Sequence, residues 1–204
     1  MGNIDFNTYI ITDDNTPLDK QLFYLKKLKT YKYKDEIAIQ IRFNEQSDES
    51  ISIFIKELLS ANLKIKLIIN NRFDLMQKYN LDGVHFKDND NYKKIDFKNY
   101  EKKIFIKSTH SIESILDAQL FKIDAVTYGP VFDTPSKRKF GKANGYEKIK
   151  NNFSNFNIPV FALGGIDLTN IKELKPYFTG IAAIRLFINE NIVENLNKRR
   201  EEWK

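Results

Sequence analysis

The chain has 204 residues, 42% of them hydrophobic, which suffices for one domain with a full core and is too little for two. It contains no cysteine, so disulfides, thiolate catalysis and cysteine-held zinc or iron–sulfur clusters are excluded. The formal charge of +6 would suit a nucleic-acid binder, but the lysines are spread along the chain among acids, as on a solvated surface, so no nucleic acid is expected as a partner.

No apolar run is long enough to span a membrane, and MGNIDFNTYIITDD lacks the basic region and apolar core of a signal peptide; a cytoplasmic setting is expected. Short apolar runs then alternate with longer amphipathic stretches. TYIIT at 8–12 reads as a strand, followed by a helix over 18–28 with Leu22, Leu25 and Leu28 at helical spacing and Asp13 or Asp14 as its cap. EIAIQIR at 36–42 is the next strand, and 50–59 the next helix, with Ile51, Ile55, Leu58 and Leu59 on one side. KIKLIIN at 64–70, a short helix over 73–79 and DGVHF at 82–86 follow, then a polar stretch over 89–100 that reads mostly as loop. KIFIKS at 103–108 leads into a helix over 111–120, opened by SIES with Ser111 as N-cap and Ser114 in the acid or amide position of a capping box. DAVTYG at 124–129, a helix over 146–153, IPVFALG at 158–164, a helix over 168–177 capped by Asp167, GIAAIRLF at 180–187 and a helix over 192–200 complete the chain.

Several strand runs are apolar on successive residues, as strands buried on both faces must be. About eight strand–helix units predict an α/β fold, a (β/α)8 TIM barrel formed by one domain over 1–204. An open doubly wound sheet competes, but no GxGxxG follows the first strand.

A barrel places its chemistry where each strand ends. Those positions hold Thr12, Asp13 and Asp14; Gln40, Arg42 and Asn44; Asn70, Asn71 and Arg72; His85, Lys87, Asp88 and Asp90; Ser108, Thr109 and His110; Thr134, Ser136 and Lys137; Gly164 and Gly165; and Arg185. Loops are polar in any protein, yet the concentration at one end of nearly every strand is what a site requires. The string YGPVFDTPSKRKFGKANG at 128–145, with FALGGID at 161–167, offers an anion hydroxyls, a lysine and backbone N–H groups at a glycine turn, and so predicts a phosphate-ester substrate. Of the two histidines, His110 in STHS is placed to exchange a proton near neutral pH, whereas His85 alternates with apolar neighbours and reads as either structural or functional. DND at 88–90 alone does not make a metal site, since such strings are common in solvated turns.

ITDD, QIR, NNRFD, DGVHF, STHS, YGPVFDTPSK, IPVFALGGI and GIAAI resemble, in order and spacing, the thiamine phosphate synthase / thiazole tautomerase family over roughly residues 8 to 188. The resemblance implies a (β/α)8 barrel acting on thiazole phosphate in thiamine biosynthesis. It implies phosphate contacts from Thr134, Ser136, Gly165 and the backbone at Ile184 and Arg185, and contacts to a pyrimidine diphosphate from Gln40, Arg42, Asn70, Ser108 and Lys137. If the chain is a synthase, it implies Mg2+ on Asp90; if a tautomerase, no cofactor. Three positions depart from the family's synthases: Asn44 stands for a lysine, Asn71 for a metal-binding aspartate, and Arg185 for a serine. The first two weaken the diphosphate half alone, so the expected activity is thiazole tautomerase, an isomerase with His110 as proton-transfer residue. The alternative is thiamine phosphate synthase, a transferase. A non-catalytic ligand sensor and an RNA-binding protein are the readings from other classes. The sixteen phenylalanines and ten tyrosines suffice for a homodimer interface or for covering the barrel.

Overall fold

The structure, a computed structural model, describes residues 4–90, 92–133, 143 and 145–203. Eight parallel strands close into a barrel, each paired with the next in sequence and the last with the first. They are β1 (Thr8–Ile11), β2 (Ile37–Ile41), β3 (Lys66–Asn70), β4 (Gly83–Phe86), β5 (Ile104–Thr109), β6 (Ala125–Tyr128), β7 (Val160–Leu163) and β8 (Gly180–Ala183). The expected (β/α)8 TIM barrel is therefore the fold.

Strand alternation divides the core in two. Tyr9, Ile11, Ala38, Ile68, Ile104, Ile106, Ala125, Phe161 and Ala182 fill the barrel, with Phe6 at its floor. Their neighbours face the helices: Ile10, Ile37, Ile39, Ile41, Leu67, Ile69, Val84, Phe105 and Val126 join a larger layer with Leu25, Phe54, Ile55, Leu58 and Ile115. Both sides of each strand are thus dry, which is why the runs read as continuously apolar. The C-terminal helix also closes the floor, where the buried Arg199 donates from its guanidinium to the Asn7 side chain at 2.8 Å and to the Asn7 carbonyl at 2.6 Å. Burial lowers the pKa of Arg199 to about 10, so it keeps its charge at neutral pH.

The helices are α1 (Leu18–Lys26), α2 (Asp48–Ser60), α3 (Phe73–Lys78), α4 (Ile112–Leu120), α5 (Glu147–Lys150), α6 (Ile171–Leu174) and α7 (Ile192–Trp203). In α2 the buried stripe is Ile51, Phe54, Ile55 and Leu58, while the expected Leu59 is 42% exposed. Two 3₁₀ turns, Tyr92–Lys94 and Phe97–Tyr100, occupy the polar stretch between β4 and β5. The last strand is shorter than GIAAIRLF suggests. The chain turns after Ala183, with Phe187 and Ile188 both donating N–H to the Ile184 carbonyl, and the apolar residues beyond it are buried by that turn. No described helix is long and apolar enough to cross a membrane.

Candidate active site

The inward-facing residue of a strand is set by its pairing register. Ile11 pairs with Gln40, Asn70 with His85 and Ser108 with Thr127, so these polar groups form one tier above the apolar filling. Gln40 is 2% exposed and its amide donates to the Asn70 side-chain oxygen at 3.0 Å. That bond leaves the Asn70 amide group as a donor and the Gln40 carbonyl as an acceptor for a ligand. His85 lies between Tyr9 and Ser108, with Nδ1 3.3 Å from the Tyr9 hydroxyl and Nε2 2.9 Å from Ser108 Oγ. Burial, helped by the Arg42 charge, lowers the His85 pKa to about 3, so its ring is neutral at physiological pH. Arg42, half-buried two residues beyond Gln40, brings a cation to this tier. Other arginines are committed elsewhere: Arg72 to Asp48 and Asp74, and Arg200 to Glu36.

His110 stands one step above Ser108 and is exposed. Its Nδ1 donates to the Gly129 carbonyl at 2.6 Å, and since a carbonyl only accepts, Nε2 is the basic nitrogen of the neutral ring. That contact ties the end of β5 to the start of the loop after β6.

This loop and the glycine turn after β7 are built together. Val131 donates its N–H to the Leu163 carbonyl at 2.9 Å, and Phe132 to Gly164 at 3.1 Å. Gly164 and Gly165 have φ of +101° and +68°. A Cβ on Gly165 would stand 2.6 Å from the Asp133 carbonyl oxygen and 2.7 Å from Phe132 Cβ, so only glycine lets the two loops meet. Gly165 thus borders the place expected for the phosphate. Thr134 and Ser136, also expected at the phosphate, and Lys137, expected at the pyrophosphate, lie outside the described residues. Ile184 and Arg185 sit in the turn after β8, anchored by Asn189, which donates to the Arg185 carbonyl at 2.8 Å. Asp167 caps no helix. It accepts from Thr169 N–H and hydroxyl at 2.8 and 2.6 Å, and α6 begins later, at Ile171.

The two aspartates after β1 also take other work. Asp13 accepts from Thr16 N–H, and Asp14 reaches across to the loop after β2, accepting from Asn44 and Glu45 N–H at 3.0 and 3.1 Å. Pro17 flanks α1 without a side-chain cap.

After β4 the acids divide. Asp90 accepts from the Lys87 N–H. Asp88 accepts from Lys107 Nζ at 2.6 Å and from Ser114 Oγ at 2.5 Å. Burial works against ionisation of Asp88, but these hydrogen bonds outweigh it and hold the carboxyl below its usual range. Lys107 is 2% exposed and faces outward from β5, so its ammonium joins the β4 loop to α4. Ser111 caps α4 as expected, accepting from Ser114 N–H, which leaves the Ser114 hydroxyl to this network. Sequence reading passed over Lys107, although a lysine inside the apolar run IFIKS was the available signal. It also passed over Tyr9, whose hydroxyl is hidden in TYIIT, and Thr127, buried with no partner for its Oγ1 among the described residues. No cluster of three metal-binding acids or histidines exists among the described residues.

Comparison with known proteins gives the relatives of this barrel. A thiamine-phosphate synthase of Clostridium tetani is 30% identical over 98% of this chain and 95% of its own length. One of Desulfitobacterium hafniense is 31% identical over 89% of this chain and 87% of its own. Among solved structures, a thiamine phosphate pyrophosphorylase of Pyrococcus furiosus superposes with a TM-score of 0.80 at 23% identity, covering 98% of this chain and 96% of that one, which speaks for the fold. These relatives overturn the expectation of a thiazole tautomerase: matched nearly end to end, they are named synthases, not isomerases. The departures at Asn44 and Asn71 are two positions against similarity spread over nearly the whole chain, and the proton-transfer role expected of His110 falls with the isomerase. The model of thiamine monophosphate synthase (TMP-TENI) matches residues 8–187, and the chain belongs to that family.

Proposed function

We propose that the protein is a thiamine-phosphate synthase, a transferase that joins an aminopyrimidine diphosphate to thiazole phosphate. The observation that carries this reading is similarity to named synthases over nearly the full length of both chains. In the reaction the thiazole ring nitrogen bonds to the methylene carbon of the pyrimidine. The bond from that carbon to the diphosphate oxygen breaks, and pyrophosphate leaves with the electron pair.

The barrel's own residues supply binding and orientation. The half-buried Arg42 guanidinium suits the diphosphate as leaving group, because it stabilises the charge that grows on the departing oxygens. Gln40 and Asn70, locked to each other, present one acceptor and one donor to the planar pyrimidine edge or the diphosphate. Ser108 donates to a diphosphate oxygen. The Gly165 turn holds the thiazole phosphate; by the family resemblance Thr134 and Ser136 add their hydroxyls to it, and Lys137 binds the pyrophosphate. His110, through Gly129, braces the loop between the two halves.

The donor set fits magnesium as a substrate-borne ion: one carboxylate, Asp90, half-buried at the rim, with diphosphate oxygens for the remainder. Asp88 is taken by Lys107 and Ser114. Bound there, magnesium would neutralise charge on the diphosphate. Given both substrates and magnesium, the protein should release thiamine phosphate and pyrophosphate in equal amounts; binding of both without product would defeat the reading. Arg42→Gln should raise KM for the pyrimidine diphosphate at least tenfold, as expected for loss of a charged hydrogen bond of about 1.5–3 kcal/mol, with KM for thiazole phosphate little changed.

A further inference from the structure

The central tier contains a chain of three side chains whose hydrogen directions can be worked out. The Tyr9 hydroxyl is fully buried, and its one hydrogen-bond partner among the described residues is His85 Nδ1, at 3.3 Å. A buried hydroxyl needs an acceptor for its proton, and losing one costs about 1–3 kcal/mol. If Nδ1 carried a hydrogen, both groups would be donors and the tyrosine proton would have no acceptor. Nδ1 must therefore be the bare nitrogen. The ring is neutral, so its hydrogen is on Nε2, and Nε2 donates to Ser108 Oγ at 2.9 Å. Ser108 then accepts from His85 and keeps its own hydroxyl proton to give. Ser108 stands at the rim of the barrel, partly exposed, where that proton can meet a ligand.

We infer that Tyr9 and His85 are positioning residues that fix Ser108 as a hydrogen-bond donor and so select an anionic oxygen, the diphosphate end of the substrate, at this point of the tier. The opposite polarity would present a lone pair and repel that oxygen. The stacked Tyr9 and His85 rings, 5.8 Å apart and 21° from parallel, hold the imidazole so that it cannot turn away. The inference rests on the proposed synthase reading for the identity of the anion, but the hydrogen directions do not.

The chain has only two histidines, so 15N-histidine NMR of the whole protein resolves both, and His110→Asn assigns them. The expected result is His85 as the neutral Nε2–H form throughout pH 5–8, with the Nδ1 resonance moved in Tyr9→Phe. An Nδ1–H ring, or an imidazolium in that range, overturns the inference. The second measurement is calorimetric binding of inorganic pyrophosphate. Ser108→Ala and Tyr9→Phe should each weaken it, by about three- to tenfold for one hydrogen bond. The double variant should bind no worse than Ser108→Ala alone, because Tyr9 acts through Ser108. Additive losses overturn the inference. So does a Ser108→Ala protein that binds pyrophosphate like the wild type, even with the expected tautomer; turnover of both substrates by the wild-type preparation then shows whether the synthase reading stands without it. Should Tyr9→Phe fail to fold, the wild-type spectrum and Ser108→Ala still decide.

Discussion

At the scale of single residues, buried polar groups set the sharpest expectations. His85 is neutral in the folded protein with its pKa lowered to about 3, while the unfolded chain binds a proton near the ordinary 6.5. The unfolded state therefore holds more protons at acid pH, and the stability His85 allows is present above pH 6.5 and lost as pH falls toward 3. Between pH 6 and 4.5 the His85 part of the slope should be about 1–1.3 kcal/mol per pH unit, read from urea midpoints, and His85→Gln should flatten it. Lys107→Met should destabilise the protein by about 1–3 kcal/mol, because Asp88 would keep its charge in a half-buried site with only Ser114 to meet it. Thr127→Val should be neutral or slightly stabilising, since the Thr127 Oγ1 is buried without a partner among the described residues; a loss above about 1 kcal/mol would show that a further group satisfies it.

At the scale of elements, the site depends on loops that hold one another. The Gly164–Gly165 turn fits against Phe132 and Asp133 so closely that Gly165→Ala has no unstrained solution. It should raise KM for thiazole phosphate well above any change in KM for the diphosphate, a split visible in initial-rate kinetics. The Asp14 carboxylate plays the matching part for the loop after β2, where it fixes the backbone of Asn44. Such cross-loop ties explain which parts of the site sequence reading reached. Gln40, Arg42, Asn70 and Ser108 were legible because a period of two and a strand end suffice to place them. Asp14 and Asp167 were misread as helix caps, since each contact depends on where another loop lies. Lys107 was missed because its inward or outward sense follows from register, and an apolar run carries no alternation to reveal it. The final strand was read too long because Phe187 and Ile188 are buried by a turn and not by a sheet.

At the scale of the molecule, eight apolar runs separated by amphipathic stretches made the barrel readable, and closure carries the strand-end residues to one rim. The choice between two activities was harder. Two asparagines suggested the isomerase, yet each is a single position whose effect depends on the surrounding loops, whereas the kinship with synthases extends across the chain. The most direct measurement is 31P NMR of one sample containing the protein, aminopyrimidine diphosphate and thiazole phosphate, before and after magnesium is added. The diphosphate signals should be replaced by free pyrophosphate, matched by a new thiamine phosphate resonance, and neither should appear if one substrate is left out. Persistence of both substrates in the complete mixture, with a protein that binds each of them, would contradict the assignment of this barrel as a thiamine-phosphate synthase.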